Sequence, residues 1–110
     1  MQTSTDLSLQ VIEPTGILDS TQVEEFTSQV NSVLERGVKT LLIDLKDVTF
    51  VDSSGLGGLV VALKKARSAG CTMYLCSINA QVRMLFELTS MDQVFKVFSD
   101  RAAFEAQVLG

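Results

Sequence analysis

Two hydrophobic spacings alternate along the chain. Leu7-Ser8-Leu9-Gln10 alternates apolar and polar before Val11-Ile12, and the segment predicts a strand. Pro14 has no N–H for a ladder, so this strand ends there or lies at an edge. Gly16 marks a turn or a close backbone approach. Val23, Phe26, Val30, Val33 and Leu34 then recur at helical spacing. Asp19 or Ser20 is the candidate cap of that helix, Glu24 and Glu25 fall in its first turn, and Gly37 stands where a C′ glycine belongs. Lys39 to Leu45 is apolar almost throughout, as in a strand covered on both faces, with Asp44 near its end. Lys46-Asp47 predicts a turn, and Val48 to Val51 carries the chain onward. A second helix is expected from about Ser54 to Ala69. Its inward side is Leu56, Leu59, Val60, Leu63 and Ala66, and Gly70 stops it. Thr72 to Cys76 reads as a strand. Asn79 can cap a third helix with Val82, Leu85, Phe86 and Leu88 inward, and Met84 and Met91 read as core filler. Val94 to Phe98 reads as the last strand. Ser99 or Asp100 can cap a final helix reaching about Leu109.

The order is β-α-β-α-β-α-β-α, which places the chain in the α/β class. The expected architecture is a mostly parallel or mixed sheet of four to five strands with about four helices. A length of 110 residues is that of one domain, 1–110, with residues 1–6 a short polar N-terminal segment. Ligand and partner sites in such folds gather beyond the carboxyl ends of the strands. One stretch there stands out, Val51-Asp52-Ser53-Ser54-Gly55-Leu56-Gly57. A small hydroxyl residue where a strand hands over to a helix holds its oxygen out beside unpaired helix N–H groups. That geometry suits a catalytic serine, an anion site or a phosphorylation site. Ordinary capping and turn chemistry is the plainer reading of Asp-Ser-Ser-Gly. The Gly-x-x-x-x-Gly-Lys-Ser/Thr pattern of a P-loop is missing, and Lys64 falls too far down the helix to serve one. A nucleophile elbow needs glycines on both sides of the serine and fails as well.

Composition narrows the choice. Thirteen acidic against nine basic residues give a net charge of −4, without a long basic run. The patch that dominates nucleic-acid affinity is therefore absent. No window approaches the roughly 20 apolar residues of a membrane span. The N-terminus has no basic n-region and no apolar h-region, so a cytoplasmic location is expected. Cys71 and Cys76 flank one strand and point to opposite faces, too far apart for a disulfide. They read as buried small hydrophobes in a reducing compartment. Histidine is absent, which removes the Ser-His-Asp triad, Cys-His dyads and most zinc sites. No metal or cofactor is expected, and a small nucleotide-binding enzyme or hydrolase is disfavoured.

The segment Val51 to Gly57 resembles the signature of the STAS domains called anti-sigma factor antagonists. Thr15-Gly16-Ile17-Leu18-Asp19 resembles their Gly-x-Leu-Asp segment before the first helix. Leu42-Ile43-Asp44-Leu45 followed by Val48-Thr49-Phe50 resembles the strand leading into the motif, and Val82 to Leu88 resembles their third helix. The similarity runs from about Gln10 to Val108. It implies a regulatory binding module, not an enzyme. In its unphosphorylated form such a module binds an anti-sigma factor that is also an ATP-dependent serine kinase, and a sigma factor is released. The resemblance makes Ser53 the phosphate acceptor and implies a serine phosphatase that restores it. The implied partner surface comprises Asp52, Ser54, Gly55, Leu56, Gly57 and Gly58, with Asp19, Ser20 and Thr21 beside it. The alternative within the family is a subunit of a transporter or another signalling assembly; such relatives often lack the acceptor serine. Family members commonly carry an extra N-terminal strand, for which Met1 to about Leu7 is too short. An open edge there would let the chain form a homodimer.

Overall fold

In the computed structural model, residues 8–110 are described. Met1 to Leu7, and with them the proposed dimerising edge, lie outside the described residues. The elements are β1 (Leu9–Ile12), β2 (Gly16–Leu18), α1 (Val23–Glu35), β3 (Thr40–Asp44), β4 (Val48–Val51), α2 (Ser53–Ser68), β5 (Thr72–Cys76), α3 (Ala80–Leu88), β6 (Val97–Phe98) and α4 (Arg101–Phe104). A short 3-10 turn, Met91–Gln93, precedes β6, and a wide helical turn, Glu105–Leu109, follows α4. The α/β class and the four helices agree with the sequence reading.

The strands form two sheets. The main one has the order β1-β3-β5-β6 and is parallel throughout; the second pairs β2 with β4, also parallel. The hydrophobic pattern alone merges these into fewer strands, because Pro14 and the Lys46-Asp47 turn look like punctuation. They are instead the points where the chain steps from one sheet to the other. Asp44 fixes the second step. Its carboxylate is buried, accepts the Lys46 N–H at 3.1 Å and lies 3.5 Å from the Lys46 ammonium. Lys46 is held in turn by Glu13 at 2.8 Å.

Alternation along β3 divides the core. Leu41 and Ile43 join the larger cluster with Phe26, Val30, Leu59, Leu63, Val82 and Phe86, so α1, α2 and α3 cover that face. Leu42 joins Cys76 and Phe104 on the other face, where α4 packs. Cys71 belongs to the first cluster and Cys76 to the second. Both thiols are free and buried, as their spacing predicts. Burial raises both pKa values, that of Cys76 to about 11.

Three local expectations are corrected. Asp19 and Ser20 do not cap α1: its N-cap is Gln22, without a side-chain bond, and Asp19 to Gln22 form a separate turn. Met84 and Leu88 are not core, being 60% and 78% exposed. Phe86 and Leu85 already fill the inward face of so short a helix, leaving the next position over in water. The last strand contracts to Val97–Phe98 because the Val94 and Phe95 N–H groups turn back to the Met91 carbonyl.

Candidate functional site

Ser53 opens α2, two residues beyond the end of β4. The preceding residue makes this junction. Asp52 has extended backbone geometry and caps the helix, its carboxylate accepting the Gly55 N–H at 2.8 Å and its carbonyl the Leu56 N–H at 2.9 Å. The Leu56 bond is the first of the helix ladder; of the four orphan donors before it, the carboxylate satisfies the Gly55 N–H, and the Asp52 N–H reaches the Leu18 carbonyl at 3.4 Å. Among the described residues no acceptor meets the Ser53 and Ser54 N–H groups. Both serines are exposed, and no hydrogen bond holds either hydroxyl among the described residues. The site is thus an accessible alcohol beside free amide donors at the positive end of a 16-residue helix.

The second sheet brings the other residues here. β2 and β4 pair Ile17 with Phe50 and Leu18 with Val51, and the Asp52 N–H reaches the Leu18 carbonyl at 3.4 Å. Asp19 therefore leaves β2 beside the point where Asp52 leaves β4. The Asp19 carboxylate accepts the Thr21 N–H at 3.0 Å and the Thr21 hydroxyl at 2.6 Å. The hydroxyl contact is the main reason its pKa falls below the usual carboxylate value, so Asp19 is anionic at neutral pH.

The sequence-predicted residues divide by burial. Ser20, Thr21, Ser53, Ser54 and Gly57 are exposed, and Asp19 and Asp52 half-exposed. Gly55, Leu56 and Gly58 are buried and shape the surface from beneath. A side chain on Gly55 would meet the Leu18 carbonyl, and one on Gly58 would press on Val23. Gly57 faces open space.

The STAS domain profile matches residues 1–103. The chain belongs to the STAS domain family. Among curated relatives, this STAS domain is 25% identical over 97 residues to the anti-sigma-B factor antagonist of Staphylococcus aureus, covering 88% of this chain and 90% of that one. Among solved structures, a candidate anti-sigma factor antagonist from Thermotoga maritima superposes with a TM-score of 0.86 at 26% identity, covering 98% of this chain and 92% of that one. The Bacillus cell fate determinant SpoIIAA, solved in its phosphorylated form, shares the fold with a TM-score of 0.69 at 18% identity, covering 94% and 95%.

Sequence reasoning missed three residues around the STAS motif and a second role of a fourth. Ile17 and Phe50, paired in register, are 51% and 44% exposed and put an apolar patch beside the Asp19 and Asp52 turns. Phe50 carries a signal, an aromatic residue at the outward position of a short strand immediately before the motif. Asn79 is the expected cap, and its carboxamide oxygen does accept the Val82 N–H at 2.9 Å. Its amide also donates to the Val48 and Thr49 carbonyls at 3.3 and 3.1 Å. Gln81 bonds both ways to Val51, accepting its N–H at 2.9 Å and donating to its carbonyl at 2.8 Å. A glutamine 30 residues from its partner leaves no periodic trace in a sequence.

Proposed function

We propose that this STAS domain is an anti-sigma factor antagonist: unphosphorylated, it binds an anti-sigma factor that is also a serine kinase, and phosphorylation of Ser53 releases that partner. The observation that carries the reading is the exposed Ser53 alcohol at the capped start of α2, in a chain whose relatives bear that name. Asp19, Ser20, Thr21, Asp52, Ser54 and Gly57 supply the surface of contact, and Gly55, Leu56 and Gly58 its contour. The role is that of a bound regulator, with the kinase and a serine phosphatase as the enzymes of the cycle.

The physical case concerns where phosphate is tolerated. A phosphoserine adds roughly −1.5 to −2 charges at neutral pH. Two unpaired N–H groups and the helix dipole receive that charge within the domain itself, so the fold changes little. The contact surface does not share this tolerance. A hydrated dianion pressed into a packed interface beside Asp19 and Asp52 costs several kcal/mol, and 3–5 kcal/mol weakens binding by roughly two to four powers of ten.

The test is incubation with the kinase partner and ATP, site mapping by mass spectrometry, and titration of the Ser53→Ala and Ser53→Asp variants against that partner. Phosphate on Ser53 and weak binding by Ser53→Asp alone are expected. Equal binding by the two variants would refute the reading.

A further inference from the structure

We propose that Gln81 is a positioning residue for Ser53, a latch by which α3 sets the height of the strand end from which α2 starts. Its use in the switch rests on the reading of Ser53 given above.

β4 is an outer strand. Its inner side pairs with β2, and the groups on its other side would ordinarily point to water or invite another strand. Two carboxamides from the start of α3 fill that side. Asn79 takes the Val48 and Thr49 carbonyls. Gln81 takes both main-chain groups of Val51, as a neighbouring strand would. The carbonyl of Val51 and the N–H of Asp52 belong to the same peptide plane. Gln81 Nε2 holds that carbonyl at 2.8 Å, and the Leu18 carbonyl accepts that N–H at 3.4 Å. The plane is thus pinned from α3 on one side and β2 on the other. Its rotation sets the backbone of Asp52, and Asp52 sets the cap from which Ser53 projects. Of the two bonds, the one from Leu18 is longer and weaker, so Gln81 dominates the placement.

The test separates the latch from the switch. Gln81→Met keeps the length of the side chain and removes both bonds. Gln81→Glu keeps the acceptor for the Val51 N–H and, ionised at neutral pH, loses only the donor. Amide hydrogen exchange is followed at Gly55 and Leu56, which bond to Asp52, with the β3 amides as an internal reference. In both variants, exchange at Gly55 and Leu56 should quicken about threefold to tenfold while β3 stays unchanged, the range one hydrogen bond spans. If Gln81→Met does not fold, Gln81→Glu alone decides. Wild-type protection at Gly55 and Leu56 in a folded variant overturns the proposal. With the kinase that modifies the wild-type chain, misplacing the acceptor should lower kcat about tenfold with little change in KM. A raised KM at unchanged kcat would make Gln81 a docking contact and overturn its positioning role. Faster exchange together with a Ser53 that no kinase modifies supports the latch and overturns the reading of Ser53.

Discussion

Replacing Gly55 by alanine sets two effects of opposite sign against each other. Inside a helix, alanine is favoured over glycine by about 1 kcal/mol. Against this stands contact with β2. The added Cβ would lie 2.0 Å from the Leu18 carbonyl oxygen, 2.9 Å from its carbon and 3.1 Å from Val51 Cγ1. Optimal carbon contacts lie near 3.5–4.0 Å, and the obstruction is backbone, which cannot swing aside. The first turn of α2 must therefore lift from β2 and give up the Asp52–Leu18 bond. Overpacking of this kind costs about 1–3 kcal/mol, and the lost bond about 1 kcal/mol more. The net expectation is a loss of roughly 1–3 kcal/mol, which lowers Tm by roughly 5–20 °C in a domain of this size. Gly57→Ala is the control. It has the same chemistry one half-turn on, with no atom within 4 Å of the new Cβ, and should gain up to about 1 kcal/mol. Urea and thermal melts followed by circular dichroism measure both. The close-approach argument fails if Gly55→Ala melts at or above wild type, or if the two variants shift in the same direction.

Asp52→Ala should cost about 0.5–2 kcal/mol by freeing the Gly55 N–H, and Asp52→Asn, an equally good cap, should restore most of it in urea titrations. Thr21→Val should raise the Asp19 pKa toward its ordinary value, read by NMR titration of the carboxyl carbon. Because the folded pKa is depressed, the stability gained from the Thr21 contact is present above the unfolded value near about pH 4 and is lost as pH falls through the folded value. The gap between wild type and variant should therefore close on acidification. Cys76, pushed up to about 11 by burial, should resist disulfide reagents at pH 8 in the native chain and react once urea exposes it. With a raised folded pKa, its contribution is intact below the unfolded value near about 8.5 and declines as pH climbs toward 11, which melts across that window will show.

What could be read from the sequence is what local chemistry dictates. Asn79 and Asp100 cap α3 and α4 as their positions suggest. Gly37 and Gly70, at φ +79 and +75, end α1 and α2. Ser53 was placed at a strand-to-helix junction from its flanking patterns alone. What escaped is set by contacts between distant segments. The division into two sheets depends on Asp44 and Lys46 redirecting the chain, and a hydrophobic count sees only a brief interruption. Asp19 looks like a helix cap because aspartate before an amphipathic stretch commonly is one; here Thr21 captures its carboxylate first. Met84 and Leu88 look like core because the helical stripe is wide enough to include them, yet α3 has only nine residues and one buried side.

The charges around Ser53 bear on how a phosphate there would be read. In many switches a new phosphate captures an arginine and drags a segment into place. Here no cationic side chain bonds to Asp19, Asp52, Ser53 or Ser54 among the described residues. The first cation on α2 is Lys64, about 16 Å along the axis at 1.5 Å per residue, beyond the roughly 8 Å screening length of physiological salt. The receiving groups are main-chain amides, already fixed in place by the cap. A phosphate meeting donors that do not move has nothing nearby to rearrange, so its effect falls on whatever lies against the surface. Superposable amide spectra of wild type and Ser53→Asp, away from α2's first turn, are the expected result. Widespread shifts reaching β3 or β5 would instead mean that the switch works by remodelling the domain.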